Sequence, residues 1–223
     1  MKKVLVLAAV LMLAATSAMA LTIVNSKHDL SSGSTAATNA TTNDEICIFC
    51  HTPHSADAAG FAPLWNRTTV NASAVYTGVD LQATITTNSV NASDAPLCLS
   101  CHDGASLADP LVNPANRFSV ANNTAGLNNI PAANAANLGK DLRDDHPVGF
   151  NYDAVATPTD PEIRTRAAAT TLVPSIQFFD GPTTSNGNYM WCSSCHDVHD
   201  NEYGAFLLTT NANSKLCLGC HDK

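Results

Sequence analysis

Charged side chains make up only 13% of this 223-residue chain and aromatic ones only 6%, against about 25% charged residues in ordinary soluble domains. So few large apolar groups cannot easily offset the conformational entropy of ordering a chain this long. A conventional side-chain core is therefore not expected. Basic residues are scarce as well, 11 against 19 acidic ones, for a net charge of −8. That balance argues against nucleic acid and against anionic lipid as partners. Methionine is nearly absent: beyond Met19 only Met190 remains. After the first twenty residues no apolar run is long enough to cross a bilayer.

Those first twenty residues stand apart. Met1-Lys2-Lys3 is a basic start, Val4 to Ala15 an apolar stretch, and Ala18-Met19-Ala20 a small-x-small cleavage pattern. The apolar stretch is too short for a comfortable membrane span. Residues 1–20 read as a cleaved export signal, leaving a chain of residues 21–223 outside the cytoplasm. The segment holds two of the 11 basic residues and none of the acidic ones, so the remainder sits near −10.

What the chain does have is cysteine in a strict pattern. Its eight cysteines form four Cys-x-x-Cys pairs, each followed at once by histidine: Cys47/Cys50-His51, Cys98/Cys101-His102, Cys192/Cys195-His196 and Cys217/Cys220-His221. C-x-x-C-H is the attachment motif of c-type haem, two thioethers to the porphyrin with an imidazole beneath the iron. Four-cysteine zinc sites also use paired C-x-x-C, and an exported chain can form disulfides. Neither gives a reason for a histidine after every second cysteine. Four covalent haem c groups are the expectation, and attachment after export agrees with the signal. At roughly 50 residues per porphyrin, burial of each would contribute on the order of 10 kcal/mol. The haems are expected to form the core, and the haem-free chain to be unfolded.

Histidine counting sets the iron chemistry. Of eight histidines, His51, His102, His196 and His221 are proximal ligands. Four remain for four distal positions: His28, His54, His146 and His199. Bis-histidine ligation closes both axial sites, leaves no iron open to a substrate and favours low reduction potentials. That points to electron transfer rather than an enzyme. His54 and His199 each stand three residues after a proximal histidine. If each pair shares a helical turn, both rings project from one side. His54 and His199 must then ligate haems other than those of His51 and His196. Arg67, Arg117, Lys140, Arg143, Arg164 and Arg166 are candidates to pair with haem carboxylates, with surface solubility as the alternative.

The motifs repeat. His51-Thr-Pro-His54 followed by Leu97-Cys98-Leu-Ser-Cys101-His102-Asp103 is echoed by His196-Asp-Val-His199 followed by Leu216-Cys217-Leu-Gly-Cys220-His221-Asp222. This reads as a duplicated two-haem unit, with halves at about 47–104 and 192–223. Residues 105–191 read as an irregular wrap rich in Asn, Ala and Pro. The expected fold is one tetrahaem cytochrome domain over 21–223: mostly irregular coil, short helices at the C-x-x-C-H motifs and minor β. Candidate strands are Val79 to Thr86, which alternates, and Leu21 to Val24.

On these doubled motifs, above all Cys47-x-x-Cys50-His51-Thr-Pro-His54 and the close of the second repeat, the chain resembles the outer-surface tetrahaem cytochromes of metal-reducing bacteria that polymerise into nanowire filaments. The resemblance implies bis-histidine haems in a continuous chain through a homopolymer. It also implies extracellular electron transfer to minerals, electrodes or other cytochromes, and a histidine that completes a haem in the next subunit. His54 matches the position for that ligand first, with His28 second. A discrete periplasmic electron shuttle is the alternative, and a multihaem reductase with one open iron the remoter one.

Overall fold

The computed structural model describes residues 23–56, 64–77, 84–114, 123–156 and 162–222. The export-signal segment, most of the candidate strand at 79–86, and Arg117 lie outside the described residues.

Regular structure is sparse, and the reason is local. Asn, Asp and Ser side chains repeatedly take the backbone N–H two residues on, as Asp29 does from Ser31, Asn43 from Glu45 and Asn134 from Ala136. Such turns compete with helix and strand ladders. Ile23 and Val24 follow this habit: they lie in a turn closed by the Ser26 N–H on the Ile23 carbonyl (2.8 Å), not in the expected strand.

Five short helices and five short strands are present among the described residues: β1 (Ala74–Val75), α1 (Thr87–Asn91), α2 (Ala95–His102), β2 (Asp141–Leu142), β3 (Phe150–Asn151), α3 (Tyr152–Val155), α4 (Arg166–Leu172), β4 (Phe179–Gly181), β5 (Thr184–Met190) and α5 (Lys215–Cys220). Short 3-10 turns cover Cys47–Phe49, Cys192–Ser194 and Ala212–Ser214. β1 pairs parallel with β2, and β3-β5-β4 form an antiparallel sheet. The β4–β5 hairpin falls in the stretch expected to be irregular. Gly181-Pro182 and Asn186-Gly187 broke up the alternation that would have revealed it. α1 starts at a capping box, Thr86 and Ser89 exchanging backbone and side-chain bonds at 3.0 and 3.1 Å.

Two apolar clusters hold the elements together. The larger joins α1 and α2 (Val90, Leu99) to β3, α3, α4 and β5 (Phe150, Tyr152, Val173, Met190), and Cys192, Cys195 and Cys220 pack against its edge. The smaller gathers Leu30, Ile48, Phe49, Leu107 and Leu127, with Cys101 at its edge. The chain thus has more side-chain core than its composition suggests, because its few large residues are concentrated beside the cysteine motifs. Gly219 lets α5 approach α4 closely: a Cβ there would meet Val173 Cγ2 at 2.6 Å.

Candidate haem-binding site

The four motifs take two local forms. The first and third are 3-10 turns, with the histidine carried beyond the turn on an isolated β-bridge, His51 to Trp65 and His196 to Leu207. The second and fourth lie in α2 and α5. Short helices at the motifs were expected, and these are what is found. A helical turn shared by His51 and His54, or by His196 and His199, is not: residues 52–55 and 197–200 are non-helical. The bridge after the first histidine pulls the chain out of helical geometry.

The cysteine sulfurs of successive motifs are neighbours. Burial pushes the Cys50 thiol up to about 12, the Cys101 sulfur adding to the shift and the Arg67 guanidinium opposing it. Cys192 is raised by its hydrogen bond with Cys98 and by burial. Burial lifts Cys195 to about 11, with Cys220 and Cys217 adding to it. These contacts run in one line: first motif to second, second to third, third to fourth.

Asp94 binds the middle junction. It precedes α2, which carries the second motif, and its carboxylate accepts the N–H groups of Cys192 (3.1 Å) and Ser193 (2.8 Å) and the Ser193 hydroxyl. One buried carboxylate therefore satisfies the start of the third motif's turn while anchored at the start of the second motif's helix. The Asp-Ala-Pro start of a helix is readable in sequence. The bond across 98 positions is not.

The histidine rings fall into pairs. His51 and His199 have centroids 6.1 Å apart with planes at 13°, His28 and His102 are 6.0 Å apart at 71°, and His146 and His221 are 6.4 Å apart at 80°. Imidazole nitrogen binds first-row metals at about 2 Å, and it lies about 1 Å from the ring centre. Two rings on opposite sides of one metal therefore have centroids about 6 Å apart. All three pairs fit an iron held from both sides. Each contains one motif histidine and one of the four spare histidines.

Ring orientation agrees. The Nδ1 atoms of His102, His196 and His146 lie 2.7, 2.9 and 3.0 Å from the carbonyls of Ala136, Ala205 and Pro147. His28 is hydrogen-bonded by the Val198 carbonyl, and His199 Nδ1 sits 3.5 Å from the Asp197 carboxylate. Such partners fix the tautomer and leave the opposite nitrogen for a metal. Burial and the neighbouring His102 ring push His28 down to about 4, so it is neutral, as a ligand must be.

His54 and His196 complete the inventory. Among the described residues no imidazole stands opposite either at such a separation. His54 is exposed, yet its backbone is pinned: its carbonyl accepts from Thr52 Oγ1 (3.0 Å) and Asn113 Nδ2 (2.6 Å). Leu64 and Val112, both exposed, join the same network, Leu64 through its carbonyl to Thr52 and Val112 through its N–H to Asn66. His196 is also exposed, with Val198 and Tyr203 exposed nearby in sequence. Met190, the one methionine that could have been an axial ligand, is buried in the larger cluster.

Most candidate basic residues already have protein partners. Lys140 is 4.0 Å from Asp103, Arg164 pairs with Asp222 at 2.7 Å, Arg166 with Asp153 at 2.9 Å, and Arg143 with Asp141. Arg67 differs: it is buried and, among the described residues, has no carboxylate partner. Its burial also removes the surface-solubility reading. The neighbouring Asn66, the first residue of an Asn-x-Thr sequon, is fully buried and bonded to Ile48 and Asn113, so it is not a glycan acceptor in this fold.

Residues 182–223 match the family model for the doubled CXXCH motif, which spans the third and fourth motifs. No curated protein matches the chain. The doubled motif indicates covalent haem c, and it supports a multihaem c-type cytochrome with an electron-transfer role. Among the described residues, no helix is long and apolar enough to cross a membrane.

Proposed function

We propose that the chain carries four haem c groups, each held by two imidazoles, and that it polymerises into a filament conducting electrons outside the cell. Three pairs would lie within one chain: His51 with His199, His102 with His28, and His221 with His146. The fourth would form between copies, His54 of one subunit completing the motif of His196 in the next. The observation that carries this is the set of three ring pairs near 6 Å, which leaves one motif histidine and one spare histidine over. Haem iron would supply one-electron Fe(III)/Fe(II) exchange when bound. The chain's own residues tether, ligate and orient, and the neighbouring sulfurs of successive motifs keep adjacent sites close. The pinned backbone beneath an exposed His54 suits a ligand offered outward, and the apolar residues beside His54 and His196 suit a contact between copies.

A second reading draws on the same leftover histidine. Among the described residues of a single chain no imidazole faces His196, as in a reductase with one open iron. A reconstruction of the secreted, haem-loaded material by cryo-electron microscopy separates the readings. Filaments with four bis-histidine haems per subunit and a His54–His196 ligation across the interface are the expected result. Monomers with an open or water-bound iron at His196 would favour the second reading. The alternative of four closed pairs within one chain would leave the shuttle.

A further inference from the structure

Arg67 is only 2% exposed. Its Nη2 donates to the carbonyls of Ser106 (2.7 Å) and Leu107 (2.9 Å), while Nε and Nη1 are buried and find no partner among the described residues. A guanidinium stays charged in any protein environment. A buried charge without a counter-charge is among the largest penalties a fold can carry. The other described arginines each have a carboxylate; Arg67 has two idle donors and none. Two positions before it, the indole Nε1 of Trp65 is also buried and unpartnered, and the Trp65 ring lies edge-on to His51 at 6.2 Å.

These donors lie between the first two motifs: the neighbouring Asn66 N–H bonds the Cys50 carbonyl (2.9 Å), and Leu107, whose carbonyl Arg67 holds, belongs to the apolar cluster that Cys101 packs against. The cysteines themselves cannot be the missing anion once haem is attached, because a thioether carries no charge. We propose that Arg67 binds a propionate carboxylate of a haem at the first-to-second motif junction, and that its charge raises that haem's reduction potential. Trp65 is positioned to add a second donor. The inference rests on the haem-binding function proposed above and adds which residue compensates a haem carboxylate. A fixed cation beside one haem would also make the potentials along the chain unequal.

The test begins with haem stoichiometry from the pyridine haemochrome spectrum, which judges the haem reading alone; without covalent haem both fail. With four haems present, a map of the wild-type protein should place a propionate oxygen within about 3.5 Å of Arg67 Nε or Nη1. In Arg67→Met, one of the four resolved midpoints should fall. The expected change is about tenfold in its oxidised-to-reduced ratio at fixed potential, or about 59 mV for one electron. Arg67→Lys should restore much of that shift. If Arg67 only braces the Ser106 and Leu107 carbonyls, Arg67→Met will lose thermal stability with all four midpoints unchanged. That outcome, or a wild-type map with no propionate at Arg67, overturns the proposal. The map decides the matter even if Arg67→Met fails to fold.

Discussion

The first and third motifs are built alike and used differently. In the first, the Thr52 N–H bonds the Leu64 carbonyl (2.8 Å) and the Asn66 N–H bonds the Cys50 carbonyl (2.9 Å). In the third, Asp197 bonds Phe206 (2.8 Å) and Leu208 bonds Cys195 (2.9 Å). Leu64 and Phe206 even share a left-handed backbone, φ +62° and +56°. Yet the corresponding spare histidines diverge: His199 faces His51 across 6.1 Å, and His54 faces no ring among the described residues. The same hydrogen-bonded knuckle occurs twice. Both spare histidines are exposed; among the described residues only His199 stands opposite a motif histidine, His51 of the other half.

The largest effect should come from removing attachment altogether. A chain with both cysteines of the second motif replaced by serine is expected to lose that haem and, with it, the ordered fold. That motif lies between its neighbours and carries α2, so far-ultraviolet circular dichroism and protease resistance should both collapse. A stable, compact product lacking this haem would mean that the side-chain clusters suffice.

Next come the two corresponding histidines, replaced one at a time. His54→Ala is expected to abolish filaments in electron micrographs of secreted material while leaving a folded subunit. His199→Ala is expected to leave the subunit contact in place and convert the His51 haem to a high-spin signal in paramagnetic resonance. If both substitutions behave alike, the contrast between the two knuckles is wrong.

Asp94 joins the halves, and its loss should be smaller but clear. Asp94→Ala strips three donors of their acceptor in a buried site, so about 3 kcal/mol of unfolding free energy should disappear in a denaturant titration of the haem-loaded protein. Asp94→Asn should recover part of it. The Soret exciton couplet in circular dichroism should weaken in Asp94→Ala as the second and third motifs drift apart. The smallest expected effect is at the cap of α1: Thr86→Ala should cost about 1 kcal/mol by the same titration and leave the spectra unchanged.

The sequence carried the cofactor chemistry because C-x-x-C-H is a local pattern, read without knowing the fold. It carried the repeat for the same reason, and the abundance of Asn, Ser and Thr foretold the irregular backbone through their side-chain turns. Distal pairing was not legible: His28 meets His102 and His146 meets His221 through contacts between segments far apart in the chain. His54 and His199 share no helical turn with His51 and His196, because each of those two motif histidines sits on an isolated β-bridge. His199 stands opposite His51 rather than His196. Asp94 escaped for a related reason: an aspartate before a helix looks ordinary until its burial and distant partners are seen. Arg67 was among the candidate basic residues, but only its burial sets it apart from the others. The β4–β5 hairpin was hidden by the glycines and proline that shape its turn.

Low-temperature paramagnetic resonance with haem quantification, on the same preparation assembled and then dispersed to single subunits, tests the central claim most directly. Four covalent haems per chain are expected, all low-spin in the assembly. On dispersal, three should stay low-spin and one should become high-spin. Four low-spin haems in the separated subunit, or fewer than four haems per chain, would contradict it.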